Sequence, residues 1–283
     1  MYLPPYQQEP RYRRLRLLGE GATGSVYLAR RTSDGFMVAL KCLRVLNYTA
    51  LRELQLEANN YYRQQDCRYV VDLLDYDFCS EEPYLVLEYC QFGSAREFVS
   101  QLRWQHEKIA ALLVHATAGI KSIHDAGGVH RDIKPDNLLV TFTDKGNLIM
   151  KVNDFGLVRL PANYATPFMT FNLVGTPGYI APEVLAGEPF TQAADIFSLG
   201  VTIHELFTGI RPTAGAQSLS CPQSLTALVA RMLVNDPRQR PTIDEVGKEL
   251  SQAAQAMKTE KQFFVIGVTA VIGLVVAAIL KKR

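Results

Sequence analysis

His130-Arg131-Asp132-Ile133-Lys134-Pro135-Asp136-Asn137, followed by Asn153-Asp154-Phe155-Gly156, is the stretch of this 283-residue chain that decides its fold. Between the two runs, Asp144-Lys145-Gly146-Asn147 marks a short hairpin. Upstream, alternating apolar residues in Leu15–Leu18, Val26–Ala29, Phe36–Leu43, Tyr69–Leu74 and Tyr84–Tyr89 read as strands, with one helix, Thr49–Gln65, among them. After about Ser94 the period changes, and helices are expected over His106–Ala126, Thr191–Thr208, Ser224–Val234 and Thr242–Met257. The layout is α+β, a small sheet-rich lobe followed by a larger helical one, with no internal repeat.

Working further outward, Gly19-Glu20-Gly21-Ala22-Thr23-Gly24-Ser25-Val26 lies between two strand-like stretches. Glycines suit a loop whose amides must approach phosphate oxygens without a Cβ in the way. A dinucleotide-binding turn would open a helix at this point, whereas here a second strand follows. A glycine-rich hairpin without a ligand is the plainer alternative. Val38-Ala39-Leu40-Lys41 then places a lysine in an apolar stretch, where a buried ammonium needs an anion and a solvated one does not. Glu53 and Glu57 share one face of the next helix. Glu57 is preferred as the partner of Lys41, and Glu53 stays open.

Taken in order, the glycine loop, VALK, HRDIKPDN, DFG and Ala181-Pro182-Glu183 resemble the eukaryotic-type (Hanks-type) protein kinases, from about Tyr12 to Leu250. The resemblance implies a bilobal fold and transfer of the γ-phosphoryl group of ATP with Mg²⁺, a reaction governed by positioning and charge neutralisation. It implies that Asp132 orients and accepts the acceptor-hydroxyl proton. Lys134 would stabilise the transferring group, Asn137 and Asp154 would hold the metal, and Lys41, held by Glu57, would grip the α- and β-phosphates. Leu18, Gly19, Gly21 and Gly24 join the nucleotide-binding set. Val26, Ala39 and Leu139 would sandwich the adenine, with Leu87 behind it and the backbone of Glu88 to Cys90 at its edge; plain core packing is the alternative for the three apolar residues.

Lys134 and Gly175-Thr176-Pro177 resemble the serine/threonine branch, in which Thr176 bonds the Asp132 and Lys134 pair. Arg131 before the catalytic aspartate implies an activation segment ordered by a phosphate, with Thr170 slightly ahead of Thr166 as the modified residue and ordinary loop hydroxyls as the alternative. Asp195 resembles the residue that fixes the catalytic-loop backbone, and Arg240 the partner of Glu183. Thr213–Pro222 is shorter than the family's usual helix and loop. A pseudokinase that binds nucleotide without transfer is the main rival reading. A small-molecule phosphotransferase of related fold is the second, and it lacks the Gly175–Glu183 segment.

Composition narrows the partners. With 48% hydrophobic residues, 20% charged residues and a net charge of +2, the chain is neither a solvating acidic protein nor a polyanion binder, so no nucleic acid is expected. Cys42, Cys67, Cys79, Cys90 and Cys221 form no CxxC pair and read as reduced thiols facing a cytosol. No apolar h-region follows Met1, so no signal peptide is expected.

The far end differs. Phe263–Leu280 is an uncharged run of eighteen residues between Lys258, Lys261 and Lys281-Lys282-Arg283, and as a helix it would span roughly 27 Å, near the thickness of a bilayer. It reads as a single-pass C-terminal transmembrane anchor with the rest of the chain on the cytosolic side; a partner-binding helix in a soluble protein is the alternative. Thr269, Gly273 and Ala277 repeat at i+4 and suit close helix packing in a homodimer. The expected organisation is an extension over 1–11, the sheet-rich lobe over 12–92, the helical lobe over 93–257, a linker over 258–262, the span over 263–280 and a basic tail over 281–283. Protein substrates with Ser/Thr acceptors and the lipid bilayer are the expected partners.

Overall fold

The computed structural model describes residues 10–21, 24–102, 105–160, 175–212 and 222–280, with side chains through 262. The first lobe is an antiparallel sheet of β1 (Tyr12–Glu20), β2 (Gly24–Arg31), β3 (Met37–Leu43), β4 (Leu73–Asp77) and β5 (Tyr84–Glu88), in the order β1-β2-β3-β5-β4. Alternation along β3 buries Val38, Leu40 and Cys42 on one face and leaves Ala39 and Lys41 half-buried on the other, toward the second lobe. Gly24 is required by packing, because a Cβ there would sit 2.1 Å from the Cys42 carbonyl of the neighbouring strand.

Helix α1 (Tyr48–Tyr62) begins where the Asn47 side chain accepts from the Ala50 amide at 2.8 Å. Its buried stripe of Leu54, Glu57, Ala58 and Tyr61 sets the helix phase and turns Glu57 inward, while Glu53 is exposed. The strand expected over Tyr69–Leu74 is divided between two structures. Val71 donates to the Val152 carbonyl at 3.0 Å and Val152 to the Tyr69 carbonyl at 2.8 Å, so Tyr69–Val71 pairs with the second lobe, and β4 begins only at Leu73. Gly119 makes room for this crossing, since a Cβ would meet the Tyr69 carbonyl at 2.5 Å.

The second lobe is helical: α2 (Ala95–Gln101), α3 (His106–Asp125), α4 (Pro182–Leu185), α5 (Gln192–Thr208), α6 (Gln223–Met232) and α7 (Ile243–Leu280), with one hairpin, β6 (Leu138–Phe142) and β7 (Leu148–Val152). The sequence reading lacks α2, although Ser94 and Glu97 form a reciprocal capping box at its start. Helix α5 is buried along most of its length and ends at Gly209, whose φ of 75° is in the left-handed region. One apolar core continues from Leu43 and Leu54 through Leu113 and Ile120 to Leu199, Leu250 and Met257, so the two lobes share it. Deleting the Leu113 side chain, wholly buried at its centre, would cost about 2–5 kcal/mol.

Helix α7 packs Val246, Leu250, Ala253 and Met257 into that core and is tied antiparallel along α3 by Lys121–Asp244 and Lys261–Glu107. It does not end at Met257. Residues 258–262, expected as a linker, are helical and continuous with it, because Lys261 keeps its charge pair with α3 and Thr259 bonds back to the Gln255 carbonyl at 3.0 Å. Among the described residues no helix is long and apolar enough to cross a membrane. The side chains of Phe263–Leu280, Thr269, Gly273 and Ala277 among them, lie outside the described residues, as do Thr166, Thr170 and residues 213–221.

Candidate active site

The catalytic loop is fixed from below by one buried carboxylate. Asp195, 1% exposed on α5, accepts from the His130 amide at 2.7 Å and the Arg131 amide at 2.9 Å, and lies 2.9 Å from His124 Nε2. This grip holds Arg131 at a φ of 77°, a conformation a non-glycine residue adopts only when its surroundings demand it. The Arg131 guanidinium stacks over the Phe190 ring at 5.4 Å. His130 Nδ1 accepts from the Asp132 amide at 3.3 Å, which leaves Nε2 to donate to the Asn153 carbonyl at 3.1 Å and joins the loop to the segment after β7.

Asp132 is thereby aimed at a closed ring of partners. Lys134 Nζ donates to Asp132 Oδ2 at 2.6 Å and to Thr176 Oγ1 at 2.7 Å, and Thr176 Oγ1 donates to Asp132 Oδ1 at 2.7 Å. Asn137 Nδ2 bonds the Asp132 carbonyl at 2.8 Å and Oδ2 at 2.9 Å. Both amide hydrogens of Asn137 are thus engaged, so its carbonyl oxygen is the end left to meet a hard cation.

Across the cleft, Lys41 Nζ donates to both Glu57 oxygens at 2.6 and 2.7 Å and lies 3.6 Å from Asp154 Oδ1. The structure therefore brings Glu57, not Glu53, to Lys41. Burial pulls the Lys41 ammonium down, but Glu57 and Asp154 outweigh it and hold it above its ordinary value. Burial pushes the Glu57 carboxyl up, against the pull of Lys41. Asp154 is also pushed up by burial, yet Lys41, His130 and Lys134 leave it below the ordinary carboxylate value. Its φ of 63° turns the carboxylate toward Lys41 and the cleft.

The remaining candidates lie on the strands and loops around these centres. Val26, Ala39 and Leu139 are half-buried where Leu28, Leu40, Leu138 and Val140 beside them are buried; Ala39 and Leu139 pack against the shared core, and Ala39 lies opposite Leu87 on the neighbouring strand. Leu18 is 37% exposed at the end of β1. Among the described residues, a Cβ on Gly19 would meet nothing within 4 Å, and one on Gly21 only the Gly24 carbonyl at 4.0 Å. The Glu88 side chain accepts from Lys151, which also reaches Asp72 at 3.2 Å, and Cys90 is buried, its thiol pushed up by burial. Among the described residues no three His, Cys, Asp or Glu side chains cluster as a metal site. One carboxylate and one amide, Asp154 and Asn137, suit Mg²⁺, which keeps phosphate and water among its ligands.

Two contributors were missed in the sequence. Tyr61, four residues past Glu57, donates to Asn153 Oδ1 at 2.8 Å and accepts from the Asp154 amide at 3.0 Å, with its ring 4.5 Å from Phe155. Asn60 donates to the Phe155 carbonyl at 3.2 Å and the Val158 carbonyl at 3.1 Å. Extending the Glu57 face by one helical turn is the signal that finds both. Away from the cleft, Arg240, its side chain fully buried, holds both Glu183 oxygens at 2.6 and 2.7 Å.

A sheet-rich lobe and a helical lobe with a Lys–Glu pair facing an Asp–Lys–Thr ring define the bilobal kinase fold. The protein kinase domain family matches residues 12–250, and the chain belongs to that family. It is similar to the probable serine/threonine-protein kinase zyg-1 of Caenorhabditis briggsae, 32% identical over 242 residues that make up 83% of this chain and 33% of that protein. The serine/threonine-protein kinase shk1/pak1 of Schizosaccharomyces pombe is 29% identical over 253 residues, 83% of this chain and 37% of the relative. The serine/threonine-protein kinase PAK 4 of Homo sapiens is 29% identical over 249 residues, 82% and 41%. The chain thus spans between a third and about two-fifths of the length of these relatives.

Proposed function

We propose that this chain transfers the γ-phosphoryl group of Mg-ATP to serine or threonine hydroxyls of proteins, itself among them, while anchored to a membrane through Phe263–Leu280. The observation that carries the reading is the closed ring of Asp132, Lys134 and Thr176. It holds a carboxylate where an acceptor hydroxyl would lose its proton, beside an ammonium that offsets developing charge. Bound ATP with Mg²⁺ supplies the phosphoryl group and neutralises charge on its oxygens. Asp154 and Asn137 would hold the metal, and Lys41, fixed by Glu57, would bind the phosphates. The half-buried apolar residues Val26, Ala39 and Leu139 would take the adenine. The serine/threonine kinases among the relatives support the acceptor class.

The anchor rests on the uncharged run Phe263–Leu280 and on its continuity with α7, which packs on the helical lobe. Such a run favours insertion and holds the lobes on the cytosolic side, with Thr269, Gly273 and Ala277 as a packing stripe for a second copy. The experiment is phosphate transfer from Mg-ATP to itself and to a generic Ser/Thr protein by the full chain in vesicles, with Asp132→Asn as control. Transfer lost in the control supports the enzyme. Nucleotide binding without transfer would turn the assignment to a membrane-tethered pseudokinase. Extraction of the full chain into a detergent-free soluble fraction would overturn the anchor.

A further inference from the structure

Beside the Asp132–Lys134–Thr176 ring a pocket of about 390 Å³ opens to solvent, reaching from Lys134 and Thr176 to Arg96 and Arg211. It contains two carboxylates, Asp136 and Glu205, which alone would draw in a basic side chain. Arg96 already lies between them. Its Nε and Nη2 donate to Asp136 Oδ1 and Oδ2 at 3.0 and 2.8 Å, and its Nη1 donates to Glu205 Oε1. Tyr179 accepts from Arg96 Nη2 at 2.9 Å and donates to Glu205 Oε2. Every carboxylate oxygen of the pocket therefore has a donor from the chain itself.

Arg211 is the contrast. Its Nη1 donates to the Pro177 carbonyl at 3.0 Å and its guanidinium lies over the Tyr179 ring at 5.5 Å, with no carboxylate within ion-pair distance among the described residues. Its seat is built: residue 178 is a glycine with φ of 91°, and a Cβ there would come within 2.5 Å of Arg211 Nη1. The guanidinium is thus held at the pocket with donors to spare, since five N–H groups are fixed in one plane.

We infer that Arg96 occupies the place of a basic substrate side chain and that Arg211 admits an anionic one, so that the enzyme selects Ser/Thr acceptors flanked by a carboxylate or a phosphate. The inference rests on the phosphotransfer proposed above. Arg96 excludes arginine and lysine by occupying their partners, and Arg211, in no ion pair among the described residues, supplies positive charge next to the acceptor site.

The test is an arrayed Ser/Thr peptide library, with Glu, phosphoserine, Ala or Arg at each flanking position, phosphorylated by the full chain. At one flanking position Glu or phosphoserine should exceed Ala by roughly two- to fivefold, the scale of a partly exposed ion pair, and Arg should fall below Ala. The Glu and phosphoserine arms separate a carboxylate preference from a phosphate preference. Arg211→Gln should flatten the anion preference, read as the ratio of the Glu to the Ala peptide rate, and added salt should weaken it. Arg96→Ala should uncover Asp136 and Glu205 and create a preference for Arg. If that variant fails to fold, the wild-type and Arg211→Gln profiles still decide. A wild-type preference for Arg, or transfer indifferent to flanking charge, overturns the inference and leaves the kinase reading intact. No transfer to any acceptor removes the kinase reading, and this inference falls with it.

Discussion

Lys41 and Lys134 each lie 2.6 Å from a carboxylate, yet the two centres are assembled differently. Lys41 is on β3, its partner Glu57 on α1 and its second neighbour Asp154 beyond β7, so three separate elements must meet. Lys134 is two residues from Asp132, and Thr176 closes that ring from 42 residues further along the chain. The first pair is the more deeply buried, with side chains 13% and 4% exposed against 19% and 7%. Displacing α1 would dismantle the first centre and leave the second standing. The Asp132–Lys134 pair is thus set by the loop's own geometry and closed by one distant hydroxyl, and the Lys41 pair by helix packing.

The largest effect should come from breaking the local centre. Asp132→Asn keeps the shape and an acceptor oxygen but cannot take a proton, so transfer should fall by about 10²–10⁴-fold with the KM for ATP nearly unchanged. A loss below about tenfold would mean that Asp132 is not the base.

Breaking the long-range centre should look different. Glu57→Gln leaves Lys41 with Asp154, 3.6 Å away, as its charged neighbour, and affinity for ATP should fall by about 10–100-fold, the scale of a charge-assisted bond. Because burial raises Glu57 above its unfolded value of 4.5, its protonated form favours folding below that pH, and the advantage is lost as pH rises through the folded value. Removing one partner of a buried pair leaves the other charge poorly compensated, so Tm of the variant should fall at neutral pH, with Asp154 at 3.6 Å offsetting part of the loss. In the wild type the titration of Glu57 above pH 4.5 should add to that of the ATP phosphates in the acid limb of affinity, and the variant should keep only the latter. Unchanged ATP affinity in the variant would remove the pair from phosphate binding.

The same division explains what could be read from sequence. Asp132 and Lys134 were legible because they are nearly adjacent in the chain, Thr176 only through the resemblance carried by Gly175-Thr176-Pro177, and the sheet-rich and helical halves showed in their apolar periods. The choice between Glu53 and Glu57 needed the phase of α1, which its packing at Leu54, Ala58 and Tyr61 supplies. The start of β4 was misplaced because Tyr69–Val71 pairs with β7, a partner some eighty residues away whose register no local pattern encodes. Tyr61 and Asn60 escaped for a related reason: on a helix they read as buried filler, and only the approach of the Asn153–Val158 segment gives their polar atoms work.

Tyr61→Phe probes the joint between the centres at a smaller scale. The ring against Phe155 is kept, while Asn153 Oδ1 and the Asp154 amide lose the bridging hydroxyl, a cost of about 1–3 kcal/mol where such groups are buried. Asp154 would be less firmly placed, so the Mg²⁺ concentration for half-maximal rate should rise several-fold while the KM for peptide holds. Equal rises in both, or in neither, would remove Tyr61 as a positioning residue for the metal aspartate.

The smallest effect belongs to a surface pair that matches the Lys41 pair in distance. Arg31 and Asp34 also meet at 2.6 Å, but their side chains are 37% and 49% exposed in the turn between β2 and β3. The Arg31 hydrogen bond, with one from the Phe36 amide, lowers Asp34 to about 2 from 3.8. Its contribution to stability is therefore present above the unfolded value and is lost as pH falls through the folded one, and water and salt keep it small. Asp34→Asn preserves an acceptor for the Phe36 amide, now at 3.1 Å, and removes only the charge. Tm should drop slightly at neutral pH and low salt, the difference should disappear by about pH 2 or on adding salt, and transfer should be unchanged. If Asp34→Asn impaired ATP affinity as much as Glu57→Gln, separation alone would account for the Lys41 pair, and its burial between two lobes would have no part in the chemistry.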